Sequence, residues 1–592
     1  KYPDRISQAD GTAREVVDKH ILLGIDAGGT FTDFVCIEPG SPPRLRVHKT
    51  LPTPDQPEQA ILQGMNDLGI NPADQGIRLH IIHGSTVATN AALEGKLART
   101  AFITNRGLAD LLSLGRQTRP ALYQLEFPPV EPPVPEELCL ECRARLAADG
   151  SEIEPLQEAE VAALVRRLAE LRVDAVAISM LFSFLDARHE QALAAAIRAA
   201  GLPVLVSCSS AVLPVYREYE RGIATWLNAA LGPVVNGYLN RLRKGVVGAH
   251  LQIMQSNAET VAAEQAADSA VNLLLSGPAG GLTAMQFIGE QIGESKFLSF
   301  DMGGTSTDVA LLSGDIAITT EGAIGAYPVA VPMVDMHTIG AGGGSIAYLD
   351  DGGLLQVGPA SAGADPGPAC YGRGGTAATV TDANLVLGRL LPDARLAGDL
   401  PVDLQAARRA VASLADRLGL SIEETALGIV RIATEHMARA IRMISVNRGH
   451  TANDFLLASF GGAGGLHVCA VADAMGMSRA IVPVFGGVLS ALGMLAADQG
   501  AQLTRTVTLP ADPASAADLA AALDSLESQG REELHAQGVA ADEIQVQRSA
   551  DLRYRGQAYT LNVDYSGPEA AATAFADSHQ RFYGYQLDQP VE

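Results

Sequence analysis

The chain has 592 residues, 47% of them hydrophobic, enough for two or three domains with sizeable cores. A formal charge of -24 argues against a nucleic-acid groove and leaves phosphate binding to metal ions and backbone N–H groups. Six cysteines in so long a chain exclude a disulfide scaffold, and apolar stretches such as 175–184 are too short to cross a bilayer.

In chain order, the polar opening 1–10 does not read as a signal peptide, and a cytoplasmic location is expected. The apolar run 21–25 enters Asp26-Ala27-Gly28-Gly29-Thr30-Phe31-Thr32-Asp33 and leaves through apolar 34–37, which predicts strand, tight turn, strand. A strand is expected over 79–82. It leads into a helix capped by Ser85 or Thr86 within His83-Gly84-Ser85-Thr86-Val87-Ala88-Thr89-Asn90. Proline-rich 127–135 reads as an extended surface loop of an insertion. Cys139-Leu140-Glu141-Cys142 is a lone C-x-x-C and is read as ordinary reduced thiols. Leu156, Val161, Leu164, Leu168 and Leu171 share a helix face; 175–184 reads as a buried strand, 189–200 as a helix and 202–206 as a strand. That rhythm gives an α/β class.

Helices are expected to dominate 211–300. Apolar 297–300 then introduces Asp301-Met302-Gly303-Gly304-Thr305-Ser306-Thr307-Asp308, a second copy of the first hairpin pattern, followed by apolar 309–312. The spacing of Met437, Ala440, Ile441 and Ile444 predicts a helix over 434–446, with Arg439, Arg442 and Arg448 near its C-terminal end and Gly449 as its cap. A third glycine turn, 459–465, sits between strand-like 455–458 and helix-like 466–475. Beyond 498 the composition shifts to an alanine-rich helix over 514–536 and alternating segments 544–547 and 559–563, a small α+β appendage. The expected domains are 20–210, 211–500 and 501–592.

One D-x-G-G-T would be only a turn; two copies point to two hairpins facing one ligand. Gly28, Gly29, Thr30, Thr32, Gly303, Gly304 and Thr305 suit phosphate oxygens, because glycine leaves the backbone N–H uncovered and threonine adds a hydroxyl. Asp26 and Asp301 are placed to serve Mg²⁺ directly or through its waters. Asp33 and Asp308 either orient hydroxyls and metal waters or cap local backbone. Gly461, Gly462 and Gly464 form either an adenosine seat at a helix N-terminus or a close helix–sheet contact. The order of these three turns is similar to the actin, sugar-kinase and heat-shock ATPase superfold, which implies duplicated α/β domains around a nucleotide cleft. Neither hairpin runs straight into a helix, as a Rossmann site requires, and no G-x-x-x-x-G-K-[ST] string is present.

Longer strings add a family. They are 83–90, Gly115-Arg116-Gln117-Thr118-Arg119-Pro120, Asp335-Met336-His337-Thr338-Ile339-Gly340-Ala341-Gly342-Gly343-Gly344-Ser345, 361–372 and Thr381-Asp382-Ala383-Asn384-Leu385. With the three turns they make residues 21–500 resemble the hydantoinase A/5-oxoprolinase family. The resemblance implies an ATP-dependent subunit using Mg²⁺ or Mn²⁺ and acting in a hetero-oligomer with a hydantoinase B-type partner. Its implied substrate is a small cyclic amide, a hydantoin, 5-oxoproline or lactam, phosphorylated on the carbonyl oxygen; no nucleic acid or membrane is expected as a partner. Related members carboxylate ketones, and a non-catalytic nucleotide-binding module is a third reading. On the substrate side stand His83, Thr86 and Asn90, with Arg116 and Arg119 available for a carboxylate or bicarbonate; the alternative for Arg116 is a structural ion pair. Asp382 and Asn384 either touch substrate or pin a loop. Asp335 and His337 lie two apart, as either metal ligands or an Asp–His hydrogen bond. His467 reads as a packing residue. Members of the family usually continue past residue 592, which leaves room for a longer C-terminal region.

Overall fold

The structure, a computed structural model, describes residues 19–53, 55–74, 76–118, 123, 131–325, 327–396, 400–446 and 449–592. β1 (Lys19–Ala27) and β2 (Thr32–Glu38) form the first hairpin, with Asp26 opposite Asp33. β3 (Arg44–Thr50) pairs with β2 antiparallel, and β4 (Ile77–Ser85) lies parallel to β1. Within the hairpin, positions such as Leu23, Ile25 and Phe34 are fully buried.

An insertion builds its own parallel sheet from β5 (Thr100–Asn105), β6 (Cys139–Cys142), β7 (Ala175–Ile178) and β8 (Leu205–Cys208), in the order β8-β7-β5-β6. The strand expected over 175–184 stops at Ile178. There a buried polar network takes over the backbone: Glu190 accepts from the Met180 N–H at 2.8 Å, and Arg221 donates to the Met180 carbonyl at 3.1 Å. The strand expected over 202–206 starts instead at Leu205, since Pro203 has no N–H for a ladder and Val204 turns back onto the Leu202 carbonyl.

Helix 218–245 fits the expected helical region, yet β9 (His250–Met254) and β10 (Thr260–Ala262) interrupt it and join the first sheet, whose order is β3-β2-β1-β4-β9-β10. The second sheet repeats the plan. β11 (Lys296–Met302) and β12 (Thr307–Ser313) form the second hairpin, β13 (Met336–Ile339) pairs with β12 antiparallel, and a separate hairpin of β14 (Ser345–Leu349) and β15 (Leu355–Ser361) lies beside them. β16 (Leu456–Phe460) and β17 (Ala480–Ile481) add in parallel, giving β13-β12-β11-β16-β17. The strands β3-β2-β1-β4-β9 and β13-β12-β11-β16-β17 therefore share one set of directions, while β10 extends the first sheet antiparallel and Asp315–Ile316 also pairs with β12 in the second. This is the duplicated actin/sugar-kinase-like α/β fold.

Two helices join the halves, α1 (Ser276–Ile292) and α2 (Leu489–Ala496). Their backbones touch: a Cβ on Gly493 would stand 1.7 Å from the Gly280 carbonyl oxygen, and one on Gly24 of β1 2.0 Å from that of Ala491. The helix predicted over 434–446 is the end of a longer one, 422–446, with Gly449 at φ +74°; Arg448 lies outside the described residues. In the C-terminal unit the helix 516–536 matches expectation. The strand expected over 544–547 forms instead at 549–552, where Leu552 can reach the core made with Tyr554, Val563 and Phe575.

Candidate functional site

The two hairpin turns close identically. Gly28 N–H donates to the Phe31 carbonyl at 3.0 Å, and Gly303 N–H to the Ser306 carbonyl at 3.0 Å. They also meet: a Cβ on Gly304 would lie 2.7 Å from Thr30 Oγ1. Gly29 and Thr305 are exposed at the tips, whereas Thr32 and Thr307 are buried. Thr32 thus belongs to the strand and not to the phosphate-facing turn, and its counterpart Thr307 donates to the Ala341 carbonyl.

Behind the turns stand four carboxylates, Asp26 with Asp33 and Asp301 with Asp308, in the same cross-strand register in each half. Burial, then Asp33, raises Asp26 to about 7. Burial, then Asp308 and the two carboxylates of the other half, holds Asp301 well above the usual range. Burial raises Asp308 to about 6, and Thr338 donates to it at 2.5 Å. Among the described residues Lys49 offsets this charge, ion-paired to Asp33 and donating to the Gly487 carbonyl of the other half at 2.8 Å. Crowded carboxylates with a buried, unpartnered Asp26 Oδ1 fit a divalent cation. Among the described residues no three His, Cys, Asp or Glu side chains converge on one point, so the fit is to Mg²⁺ held by one or two carboxylates, its own waters and phosphate oxygens.

The third glycine turn presses against the second hairpin. Gly461, at φ +79°, begins helix 461–464, and a Cβ there would stand 2.1 Å from Asp301 Oδ1. Gly464 is buried against Ser459, while Gly462 is exposed with open space around it. The close-packing reading holds at Gly461 and Gly464, while Gly462 presents an open face.

The family models for the Hydantoinase/oxoprolinase N-terminal region and for Hydantoinase/oxoprolinase match residues 22–201 and 221–502. The chain is 36% identical to the caprolactamase subunit alpha of Pseudomonas jessenii across 96% of its own length and 85% of that protein. The chain belongs to the hydantoinase/oxoprolinase family. It is similar to the crystal structure of the ATP-dependent caprolactamase from Pseudomonas jessenii (TM-score 0.84, 35% identity, 96% of this chain and 86% of that one). It is also similar to nucleotide-free acetone carboxylase (TM-score 0.77, 25% identity, 97% and 86%). The 5-oxoprolinase of Saccharomyces cerevisiae is 32% identical over 96% of the chain, which spans 48% of that relative's length. Family membership makes the chain an enzyme of a group named for amide ring opening. No helix of the described residues is long and apolar enough to cross a membrane.

Several family strings turn out to hold the site from behind. Gly343 and Gly344 donate to the Gly303 and Gly304 carbonyls at 3.0 and 2.6 Å, and Thr381 N–H holds the Gly343 carbonyl at 2.7 Å. Asp382 is fully buried, accepting from the N–H groups of Ala369, Cys370 and Thr379 at 3.2, 2.8 and 3.0 Å and from Thr379 Oγ1 at 2.8 Å. It pins the loop and caps helix 380–386, which corrects its substrate role. Asn384 bonds His467 Nε2 at 3.1 Å inside the same half.

His83 has no exposed surface and bonds the Tyr238 hydroxyl at 2.6 Å and the Ile25 carbonyl at 3.2 Å, so it supports β1 and does not face a substrate. Burial lowers its pKa to about 4. Between pH 6.5 and about 4 the unfolded chain takes up a proton here that the folded chain refuses, so stability falls as pH drops through that window. From pH 7.5 to 5 the wild type should lose about 2 kcal/mol relative to His83→Gln in urea unfolding. A pH-independent difference contradicts a neutral, buried His83.

Thr86 donates to the Ala27 carbonyl at 3.0 Å and Asn90 to Thr86 Oγ1 at 3.3 Å, which places both beside the first turn, with Asn90 exposed. Arg116 is half-exposed and ion-paired to Glu220 at 2.7 Å, the structural alternative. Arg119 lies outside the described residues. For Asp335 and His337 no third ligand completes a metal site among the described residues.

Proposed function

We propose that this chain binds MgATP where its two hairpins meet and phosphorylates the carbonyl oxygen of a cyclic amide, handing the product to a hydantoinase B-type partner in a hetero-oligomer. The observation that carries this reading is the turn-to-turn contact of two identical hairpins with four carboxylates behind them. An amide carbon is a poor electrophile. Transfer of the γ-phosphoryl group to its oxygen, with ADP leaving and the ring N–H losing its proton, gives an imidate whose carbon accepts water readily. Backbone N–H groups at Gly29–Thr30 and Gly304–Thr305 would hold the phosphates, while Asp26 and Asp301 would hold the Mg²⁺ that neutralises charge on them. Lys49, anchored on Asp33 and Gly487, ties the two halves together at this point.

The similarity to a caprolactamase subunit supports both the amide class and the need for a second chain. Purified alone, this chain should bind ATP and release almost no ring-opened product from hydantoins, 5-oxoproline or lactams. The B-type subunit should restore substrate-dependent ATP hydrolysis. Full turnover by the isolated chain would sink the two-subunit reading. The similarity to acetone carboxylase favours ketone carboxylation as a second reading, which bicarbonate-dependent consumption of a ketone would establish in place of the first. ATP consumption that no lactam, hydantoin or ketone alters, with the partner present, would instead point to a nucleotide-binding module.

A further inference from the structure

In the second half, β13, the β14–β15 hairpin and helix 422–446 line a cavity of about 510 Å³. That is the size of an ordinary small-molecule site. Its ionisable side chains are His337, His436 and Arg439, with Gln356 and Tyr348 as further polar groups and Met443 on the apolar side. No Asp or Glu lines it, although the chain carries a net charge of -24. Among the described residues Arg439 makes no ion pair; Glu435, four residues before it, is turned toward Arg442 at 3.8 Å. Burial, then Arg439, lowers His436, so near neutral pH its ring is an uncharged hydrogen-bonding group and Arg439 carries the charge. Tyr348 and Met443 remain 43% and 41% exposed, an amphipathic rim at the entrance.

We propose that this cavity is a second ligand site, taking a small organic anion whose carboxylate pairs with Arg439 and whose apolar body lies against Met443. A guanidinium without a protein partner, facing a pocket that also offers imidazole and amide groups, is the chemistry that recognises a carboxylate. The seat is wired to the nucleotide site through β13. The strand carries His337 into the cavity wall, and the chain that follows it runs to Ala341, whose carbonyl accepts from Thr307, and to Gly343 and Gly344, which hold the back of the second hairpin.

The test is calorimetric titration of the purified full chain with benzoate and hexanoate, against the neutral isosteres benzamide and hexanamide. One saturable site per chain is expected for a carboxylate, with its amide at least ~10-fold weaker. Arg439→Gln should weaken carboxylate binding at least ~10-fold, and Arg439→Lys less, because lysine keeps the charge and loses the fork. Arg439 is exposed on its helix, so unchanged circular dichroism and MgATP affinity should show the variants to be folded. Saturating MgATP should leave the carboxylate stoichiometry at one. Equal binding of acid and amide, no saturable carboxylate site, an unaltered affinity in folded Arg439→Gln, or displacement by MgATP would each overturn the assignment. The inference does not rest on the cyclic-amide reading, whose failure would leave these titrations unchanged.

Discussion

Replacing Asp301 by Asn, or Asp26 by Asn, lowers MgATP-dependent turnover by one to three orders of magnitude when measured with partner and substrate present. Each carboxylate sits near the end of a hairpin strand, and burial, with repulsion from the neighbouring carboxylates adding to it, raises Asp26 to about 7 and holds Asp301 well above the usual carboxylate range. Among the described residues Lys49 offsets it. A divalent cation relieves that repulsion, and removing one charge weakens its hold where the phosphates must be neutralised. The same substitution removes a repulsive partner without changing side-chain volume, so melting should occur at or above the wild-type temperature. Near-wild-type ATPase in both variants would make the repeated hairpin a structural echo.

Gly461→Ala should impair both stability and nucleotide binding. The residue sits at φ +79°, where a side chain costs about 1–2 kcal/mol. The new methyl would also press on Asp301 Oδ1 at 2.1 Å and the Met302 carbonyl at 2.6 Å, displacing the carboxylate that serves the metal. A fall in melting temperature of roughly 2–4 °C and at least ~10-fold weaker MgATP binding are expected together. Gly462→Ala separates the two effects, since open space surrounds that residue: melting should not change, and any loss should be confined to nucleotide affinity. Wild-type melting and affinity in Gly461→Ala would remove this turn from the site.

Both hairpins were legible because everything that makes them is local, an apolar run, a glycine pair and a second apolar run. Lys49 was not legible. Its position against Asp33 depends on the β2–β3 register across a loop, and its second contact, Gly487, lies 438 residues away. His83 and Asp382 stand in specific polar strings that point His83 to the substrate side and leave Asp382 either touching substrate or pinning a loop. Their burial is decided by Tyr238 in one case and by the Ala369 and Cys370 amides in the other, which the strings themselves do not contain. β9 and β10 were lost in a helical stretch because each is short, and their place beside β4 is a long-range pairing. The third glycine turn carried two readings from sequence, of which the close-packing one holds at Gly461 and Gly464.

The most direct test of the central claim is a crystal structure of the chain with Mn²⁺ and a non-hydrolysable ATP analogue, using the anomalous signal to place the metal. The account predicts a manganese peak between Asp26 and Asp301, with phosphate oxygens against the Gly29–Thr30 and Gly304–Thr305 amides and adenosine beside Gly462. Nucleotide bound elsewhere, or manganese held by neither aspartate, would contradict it.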